Sequence, residues 1–309
     1  MGKIFVIIQL LICMGTCVFA QQDPMYSQYM FNTLAVNPAY AGSRNVLSAT
    51  ALYRSQWVGM EGAPQTQTLS FDTSLPDKNV GLGVQVFNDK IGITKTTGAF
   101  ASYAYRIRME TSTLAFGLQA GISNYRADYT SVPLNESTPD VAFSQNVNAF
   151  LPNFGAGVYF NSDKFYVGLS APHILNNRLN NGSETIQTNG LVARQYLHLF
   201  LMTGYVFDMG ENVKLKPSVL VKGVQGAPVQ VDANANLWIN DVISVGASYR
   251  HKSDMSAMFE MQVTPQIRLG YSYDRSITRL VNYNSGSHEI MLRYEFGFDD
   301  ERILAPRYF

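Results

Sequence analysis

Cysteine and charge are both scarce in this 309-residue sequence. Its two cysteines are Cys13 and Cys17, and 15% of its residues are charged, with positive and negative side chains balancing to zero. A typical soluble domain carries ~25% charged residues. The balance argues against a nucleic-acid-binding protein, which needs a basic excess to neutralise phosphates. No nucleic-acid partner is therefore expected.

Long uncharged apolar runs are missing after residue 20. The longest, about Tyr196–Phe207, is shorter than the ~20 residues that a membrane-spanning helix needs. Residues 1–20 have a different character, with Lys3 followed by an apolar stretch and a small-residue cleavage site before Gln21. This order predicts a secretory signal peptide. An exported chain without a spanning helix is periplasmic, secreted or an outer-membrane barrel.

Both cysteines lie inside the predicted signal peptide, so the mature chain is expected to contain no disulfide. Cys17 also ends a Met-Gly-Thr-Cys sequence. This sequence is a poor lipoprotein box, because threonine precedes the cysteine.

Catalytic and metal-binding patterns are also thin. The four histidines, His173, His198, His251 and His288, fall on separate segments without the i, i+4 spacing of a metal-binding helix. His198 could pair with a serine, as in an outer-membrane phospholipase, or could fill space as a hydrogen-bonding residue. The second interpretation is favoured, and neither an enzyme nor a cofactor is expected. The loop acids Glu136, Asp140 and Glu184 could bind calcium, but their spacing is irregular.

What the sequence does contain is a repeated alternation of apolar and polar residues. From His288 to Phe298, every second residue from Ile290 onward is large and apolar, and the residues between them are mostly charged or small. Successive side chains of a strand point to opposite faces, so the segment has one apolar wall and one polar wall. Fourteen segments share this pattern: Val46–Trp57, Thr66–Thr73, Val80–Phe87, Thr97–Met109, Leu114–Ser123, Phe154–Phe160, Phe165–Ser170, Gln195–Phe207, Val213–Val221, Val229–Ile239, Ile243–Arg250, Ser256–Val263, Gln266–Asp274 and His288–Phe298.

A soluble β-sandwich would alternate in the same way, but three features favour a barrel. The number of segments is even, and most have the ~9–11 residues of a tilted membrane-crossing strand. The connections also alternate in length, with long ones at Asn124–Pro152, Pro172–Ala193 and Ser276–Ser287. Short periplasmic turns and longer outer loops are typical of outer-membrane barrels. The sequence thus predicts an all-β, antiparallel transmembrane barrel of about 14 strands over residues 46–298.

Residues 21–45 precede the predicted barrel and have another pattern. Asp23-Pro24 is a helix start, and Asn37-Pro38 is a stop. The apolar residues between them follow helical spacing: Tyr26, Tyr29, Met30, Phe31 and Leu34. A short helix of about three turns is predicted, which could plug the barrel, pack beneath it or dock a periplasmic partner.

Six charged residues of the last four strands fall on the polar wall: Arg250, Glu260, Arg268, Asp274, Arg293 and Glu295. Arginine or lysine facing lipid at the bilayer midplane costs ~2–4 kcal/mol, so these side chains are expected to line the lumen. Their mixed signs predict ion-pair ladders that fill it. An open porin-like channel, or a transporter of hydrophobic solutes, is the alternative.

Several motifs resemble those of one family. Residues Asp23 to Gly42 read D-P-M-Y-S-Q-Y-M-F-N-T-L-A-V-N-P-A-Y-A-G, and Tyr53 to Trp57 read Y-R-S-Q-W. Gly81-Leu82-Gly83 and the final Ala305 to Phe309 continue the similarity. The chain resembles the PorP/SprF family of the type IX secretion system in the Bacteroidota along its whole mature length.

This resemblance implies an outer-membrane barrel that supports export or surface retention of a secreted partner, such as a gliding adhesin or an effector. A periplasmic ring lipoprotein or a peptidoglycan-binding protein is a further implied partner. Both termini are expected in the periplasm, with residues 299–309 as a tail. The candidate partner contacts are Tyr26, Tyr29, Phe31, Leu34, Tyr40, Arg307, Tyr308 and Phe309. The long outer loops are a second candidate contact surface.

Overall fold

The computed structural model describes residues 26–75, 78–132, 145–179 and 194–296. The predicted signal peptide, the Asp23-Pro24 helix start, the loop acids and the tail at residues 299–309 lie outside these ranges. None of the helices within them has the length and apolar character to span a membrane.

The described residues form one antiparallel sheet that closes on itself. Its strands are β1 (Leu47–Ser55), β2 (Gln65–Ser74), β3 (Val80–Ile91), β4 (Thr94–Arg108), β5 (Ser112–Ala127), β6 (Val147–Ser162), β7 (Phe165–Ala171), β8 (His198–Tyr205), β9 (Phe207–Asp208), β10 (Val213–Val224), β11 (Gln230–Ile239), β12 (Ile243–Arg250), β13 (Asp254–Gln262), β14 (Ile267–Ser276) and β15 (Ser287–Phe296). Each pairs with its neighbour in sequence, except that β8 and β9 both pair with β10, and β15 pairs with β1. β8 and β9 are two parts of one strand that is interrupted at Val206. The barrel therefore has fourteen strands, as predicted.

The alternation of the sequence becomes the two faces of the barrel wall. On β3, Leu82, Val84 and Val86 point outward and are 41–47% exposed. Gly81 and Gly83, between and beside them, point inward and are buried. A closed sheet with an apolar outer surface satisfies its backbone hydrogen bonds internally while it faces lipid.

The two ends of the barrel differ in their connections. One end, called the turn end, has the short connections 75–79, 109–111, 163–164, 209–212, 240–242 and 263–266. The other, called the loop end, carries the longer connections 56–64, 128–146, 172–197 and 277–286, together with tight turns at 92–93, 225–229 and 251–253. The longer connections lie at one end of the barrel. This confirms the prediction that long connections alternate with short ones along the chain.

The expected loop at Asn124–Pro152 is shorter than predicted, because β5 continues to Ala127 and β6 begins at Val147. These strand ends carry polar residues, and Asn124 Nδ2 donates to Asn148 Oδ1 at 2.7 Å. The alternation of apolar residues that marks a strand in the membrane therefore does not mark this extension.

Residues 26–45, called the plug segment, lie inside the barrel. Their described part contains turns and two 3₁₀ helices, Thr33–Ala35 and Pro38–Tyr40, so the predicted continuous helix is wrong for these residues. Most backbone bonds of the segment are of the short i to i+3 type, as from Phe31 N to Gln28 O at 2.9 Å, while Asn37 N to Thr33 O has the i to i+4 spacing of an α-helix. The barrel wall binds other backbone groups of the segment, and this binding replaces the helical hydrogen bonds.

Candidate functional site in the barrel lumen

The plug segment fills the half of the lumen nearest the turn end. Tyr26, Tyr29, Phe31, Leu34 and Tyr40 are all at most 8% exposed and form the core together with inward-facing wall residues. The segment thus supplies the apolar centre that a barrel of this size needs if it is not to enclose an aqueous channel.

Hydrogen bonds fix the depth of the plug segment. The hydroxyls of Tyr26 and Thr68 are 2.8 Å apart, and Tyr29 Oη accepts from Asn234 Nδ2 at 3.1 Å. Burial of the Tyr29 hydroxyl raises its pKa to about 12. Farther along, Arg44 Nη1 lies 2.7 Å from Glu295 Oε1, near the turn end. The segment therefore runs from mid-lumen down to the start of β1.

Glycines on the inner wall make room for the plug segment. A Cβ atom on Gly117 would lie 2.1 Å from the backbone nitrogen of Ala39, and one on Gly81 would lie 1.9 Å from the carbonyl oxygen of Ala41. Glycine inside a strand often marks such a close approach of another backbone. The wall and the plug are thus complementary in shape at the level of single atoms.

A row of charged side chains crosses the lumen above the plug. It takes one inward-facing residue from each of six successive strands, and it is called the upper charge belt: Asp232 of β11, Arg250 of β12, Asp254 of β13, Asp274 of β14, Glu289 of β15 and Arg54 of β1. Four carboxylates and two guanidinium groups face the interior side by side.

Each arginine of the belt is shared between two carboxylates. Arg54 Nη1 lies 2.6 Å from Asp274 Oδ2 and 3.0 Å from Glu289 Oε2. Arg250 bonds Asp232 at 2.9 Å and Asp254 at 3.2 Å. A buried charge is tolerated when it is paired and hydrogen-bonded in this way.

The belt also holds the upper end of the plug segment. Glu289 accepts hydrogen bonds from the backbone N–H groups of Ser27, at 2.9 Å, and Gln28, at 2.8 Å. The Ser27 hydroxyl donates to Asp274 Oδ2 at 2.6 Å and accepts from Arg54 Nη1 at 2.8 Å. Two of the six charged residues predicted for the lumen, Arg250 and Asp274, lie in this belt.

The other four predicted lumen charges lie nearer the turn end. Arg268 Nη1 is 3.2 Å from Glu260 Oε1, and its guanidinium lies 5.0 Å from the ring centre of Trp238. Arg293 Nε donates to the Thr50 hydroxyl at 3.3 Å. Glu295 pairs with Arg44 of the plug segment, as described above. The upper charge belt and the charged residues nearer the turn end therefore both lie against the plug segment as well as the wall.

Four belt residues were missed by reasoning from the sequence, and one of them, Asp254, lies just before the predicted segment Ser256–Val263. Arg54, Asp232 and Glu289 occupy inward positions of strands that alternation had already identified. The signal that could have revealed them is their place in the alternation of inward and outward positions. A charged residue at an inward position of a membrane strand must find a partner.

Above the plug, the lumen widens into a cavity of about 550 Å³, called the vestibule. Tyr26, Tyr29 and Val36 form its floor, and Trp57 and Thr278 reach it from the loop end. One wall carries the large apolar side chains Phe87, Phe100, Tyr125, Leu151, Phe200 and Leu220, with polar residues such as Gln85, Asp89 and Gln119 among them. The opposite wall is polar and includes Arg54, Arg250, Asp254, Asp274, Ser276 and Thr278.

His198 is buried on the inner side of β8, with its ring centre 6.2 Å from that of Phe200 at an edge-to-face angle. Within the ranges that the structure describes, no group of three or more histidine, cysteine, aspartate or glutamate residues is arranged to hold a metal ion.

The five candidate partner contacts of the plug segment are brought together, but inside the barrel. Their role in partner binding stays a prediction, and Arg307, Tyr308 and Phe309 lie outside the described residues. What the arrangement provides physically is a lumen closed on the turn side and a concave, two-sided cavity on the loop side.

Among solved structures, the chain is similar to the Acinetobacter baumannii outer membrane protein Omp33, at 10% identity and a TM-score of 0.47, over 82% of this chain and 99% of that one. It is also similar to a Pseudomonas aeruginosa FadL homologue, at 12% identity and a TM-score of 0.48, over 92% and 96%. The CymD monoaromatic hydrocarbon channel gives 12% identity and 0.48, over 92% and 95%.

Comparison with curated proteins gives no match. The sequence model of the type IX secretion system membrane protein PorP/SprF, by contrast, matches residues 18–294. This family and the barrel fold are those of an outer-membrane component of a secretion system rather than of an enzyme class. Because the match extends over most of the chain, the protein belongs to the PorP/SprF family of type IX secretion system membrane proteins.

Proposed function

We propose that this protein is a plugged barrel that anchors or retains a secreted protein of the type IX system, such as an adhesin or an effector, at the outer membrane. The observation that carries the proposal is the closed lumen. A plug segment bound at both ends and set against glycines of the wall leaves no need for a second protein to seal the barrel. What remains open to a partner is the vestibule and the long connections around it.

In this proposal the loop end faces the cell exterior, because outer-membrane barrels place short turns in the periplasm. Phe296, at the end of β15, lies at the turn end, which supports a periplasmic C-terminal tail. Tyr26, the first described residue, lies instead on the vestibule floor. The periplasmic position of the N-terminus stays a prediction that this position does not support.

The partner is proposed to bind from outside, over the connections 128–146 and 172–197. Long connections are commonly functional. A periplasmic ring lipoprotein or a peptidoglycan-binding protein is proposed to bind at the turn end, where the short connections lie and β15 ends.

Co-purification tests this proposal. The barrel carries an affinity tag in an exposed turn, is extracted from outer membranes in mild detergent, and its companions are identified by mass spectrometry. A secreted protein in stoichiometric amount is expected with the tagged barrel and not with an unrelated barrel that carries the same tag. Recovery of the barrel alone after gentle extraction would contradict the anchor function.

A passive channel is the competing function, and the plug segment argues against it. Reconstitution of the intact protein into planar bilayers separates the two. Stable stepwise conductance without a partner protein would favour the channel.

A further inference from the structure

The two walls of the vestibule differ in chemistry. On the apolar wall, the rings of Phe87 and Phe100 stack with centres 6.2 Å apart and planes 11° from parallel. The polar wall across the cavity is formed by Arg250, Asp254 and Asp274 of the upper charge belt. A site with one aromatic side and a few fixed polar groups is typical of a ligand pocket, and about 550 Å³ lies within the ~300–1,000 Å³ range of such pockets.

The polar wall carries an excess of negative charge. Arg54 and Arg250 are each paired with two carboxylates, so every guanidinium charge is shared between two opposite charges. Asp89 also lines the vestibule, and the ammonium of Lys222 lies 5.8 Å from the ring centre of Phe200. With these two added to the belt, five carboxylates face three cations, and a cavity with low-dielectric walls focuses the potential of this negative excess.

Asp254 is the belt carboxylate best placed to receive a ligand. It lines the vestibule, and its Oδ2 accepts hydrogen bonds from Arg250 and from the Ser253 hydroxyl. Its Oδ1 accepts none from the residues that the structure describes. This oxygen is buried and unsatisfied among the described residues, and the Asp254 side chain keeps 14% of its surface exposed, so the carboxylate meets the aromatic cavity with acceptor capacity unfilled.

We propose that the vestibule binds a short segment of the secreted partner in which a lysine or arginine side chain neighbours an aromatic one. The cation bonds to Asp254, and the aromatic side chain packs against Phe87 and Phe100. Charge complementarity selects a basic segment over an acidic one, and the aromatic wall adds burial of apolar area. The inference rests on the proposed anchor function, because it takes the segment to belong to the retained protein.

Intrinsic fluorescence offers a direct test on the intact, purified barrel in detergent. The chain has two tryptophans: Trp57 lines the vestibule, and Trp238 is buried near Arg268. In a Trp238→Phe background, Trp57 reports on the cavity alone. The probes are two capped tripeptides, phenylalanine-arginine-phenylalanine and phenylalanine-glutamate-phenylalanine.

The arginine tripeptide is expected to change the Trp57 emission and to bind at least about tenfold more tightly than the glutamate tripeptide, a difference of about 1.4 kcal/mol. Asp254→Asn is expected to remove most of this preference. Phe100→Leu, a milder change of volume, is expected to weaken both peptides. Asp163→Asn, in an exposed turn at the turn end, is the matched control and should leave both affinities unchanged.

Equal binding of the two tripeptides, no binding of either one, or an unchanged preference in Asp254→Asn would overturn the inference. Each variant is used only when it keeps the heat-modifiable migration of a folded barrel. If Asp254→Asn does not fold, the salt dependence of arginine-tripeptide binding in the Trp238→Phe protein replaces it. An affinity that does not fall as salt rises counts against an ionic contact.

Co-purification separates this inference from the anchor function. If the wild-type barrel retains a secreted protein and Asp254→Asn and Phe100→Leu retain it equally well, the vestibule assignment is wrong and the anchor function stands. If the wild-type barrel retains nothing, the anchor function itself fails, whatever the tripeptides do.

Discussion

Gln28 and Glu289 are joined by a hydrogen bond of 2.8 Å, from the backbone N–H of the plug segment to a carboxylate of the last strand, across 261 positions of sequence. Glu289 lies on β15, opposite Arg54 of β1, so the same residue takes part in closing the barrel and in holding the plug. Closure of the sheet and docking of the plug are therefore coupled through one buried ionic group.

Replacing Arg54 with methionine is expected to destabilise the barrel. The change removes the cation between Asp274 and Glu289 and leaves two buried carboxylates without it, and breaking a buried pair in this way costs about 3–5 kcal/mol. The midpoint of thermal unfolding, followed by heat-modifiable migration on gels, should fall by several degrees. Lys164→Ala removes an exposed pair with Asp208 and should leave the midpoint unchanged; equal effects of the two variants would contradict the role of the belt.

A single methyl group on Gly117 is expected to disturb the plug. The Cβ of Gly117→Ala would lie 2.1 Å from the Ala39 backbone nitrogen, so plug or wall must move, at a typical cost of about 1–3 kcal/mol. Gly223→Ala is the control, because its Cβ would meet no atom of the described residues within 4 Å. Limited proteolysis of the folded barrel should cleave within residues 26–45 in the first variant and not in the second.

Removing the plug segment is expected to open the lumen. A chain lacking residues 27–43 keeps all fourteen strands but loses the side chains that fill the turn-side half of the barrel. In planar bilayers the deletion variant should show stepwise conductance, and the intact protein should show little. If both conduct equally, the plug segment does not close the barrel, and the channel function gains support.

The barrel could be predicted from the sequence because its signal is local. Alternation along each strand reports which face meets lipid, and all fourteen predicted segments correspond to strands of the wall. The plug segment was harder, because its helical spacing of apolar residues is real but its backbone groups are bound elsewhere. Glu289 accepts hydrogen bonds from the backbone N–H groups of Ser27 and Gln28, and no local pattern in residues 26–45 predicts this contact.

The ion pairs of the site could be predicted only with knowledge of the register between the strands. The alternation of inward and outward positions places Arg54 and Asp274 inside the lumen. It does not predict that the two side chains approach within 2.6 Å. The glycines of the wall were likewise visible as Gly81-Leu82-Gly83. Their role became clear only when Ala41 of the plug was found against Gly81.

Cysteine labelling is expected to fix the orientation of the barrel. Cysteine is absent after residue 17, so a single introduced thiol can be read without background. Thr130→Cys, exposed at the loop end, should react with a membrane-impermeant maleimide on intact cells. Lys164→Cys, exposed at the turn end, should react only after the outer membrane is permeabilised. The reverse pattern would invert the proposed topology.

Deleting residues 135–144 is expected to impair retention of the secreted partner without unfolding the barrel. The deletion lies between β5, which ends at Ala127, and β6, which begins at Val147, and these strands pair along their whole length. The loss is therefore confined to the connection, and loop shortening of this kind changes closure entropy only slightly. A tagged deletion variant should stay heat-modifiable and bring down several-fold less of the secreted protein than the wild type does. A deletion of 281–284, in another loop-end connection, provides a comparison, and undiminished retention in the 135–144 variant would show that this loop is not the contact.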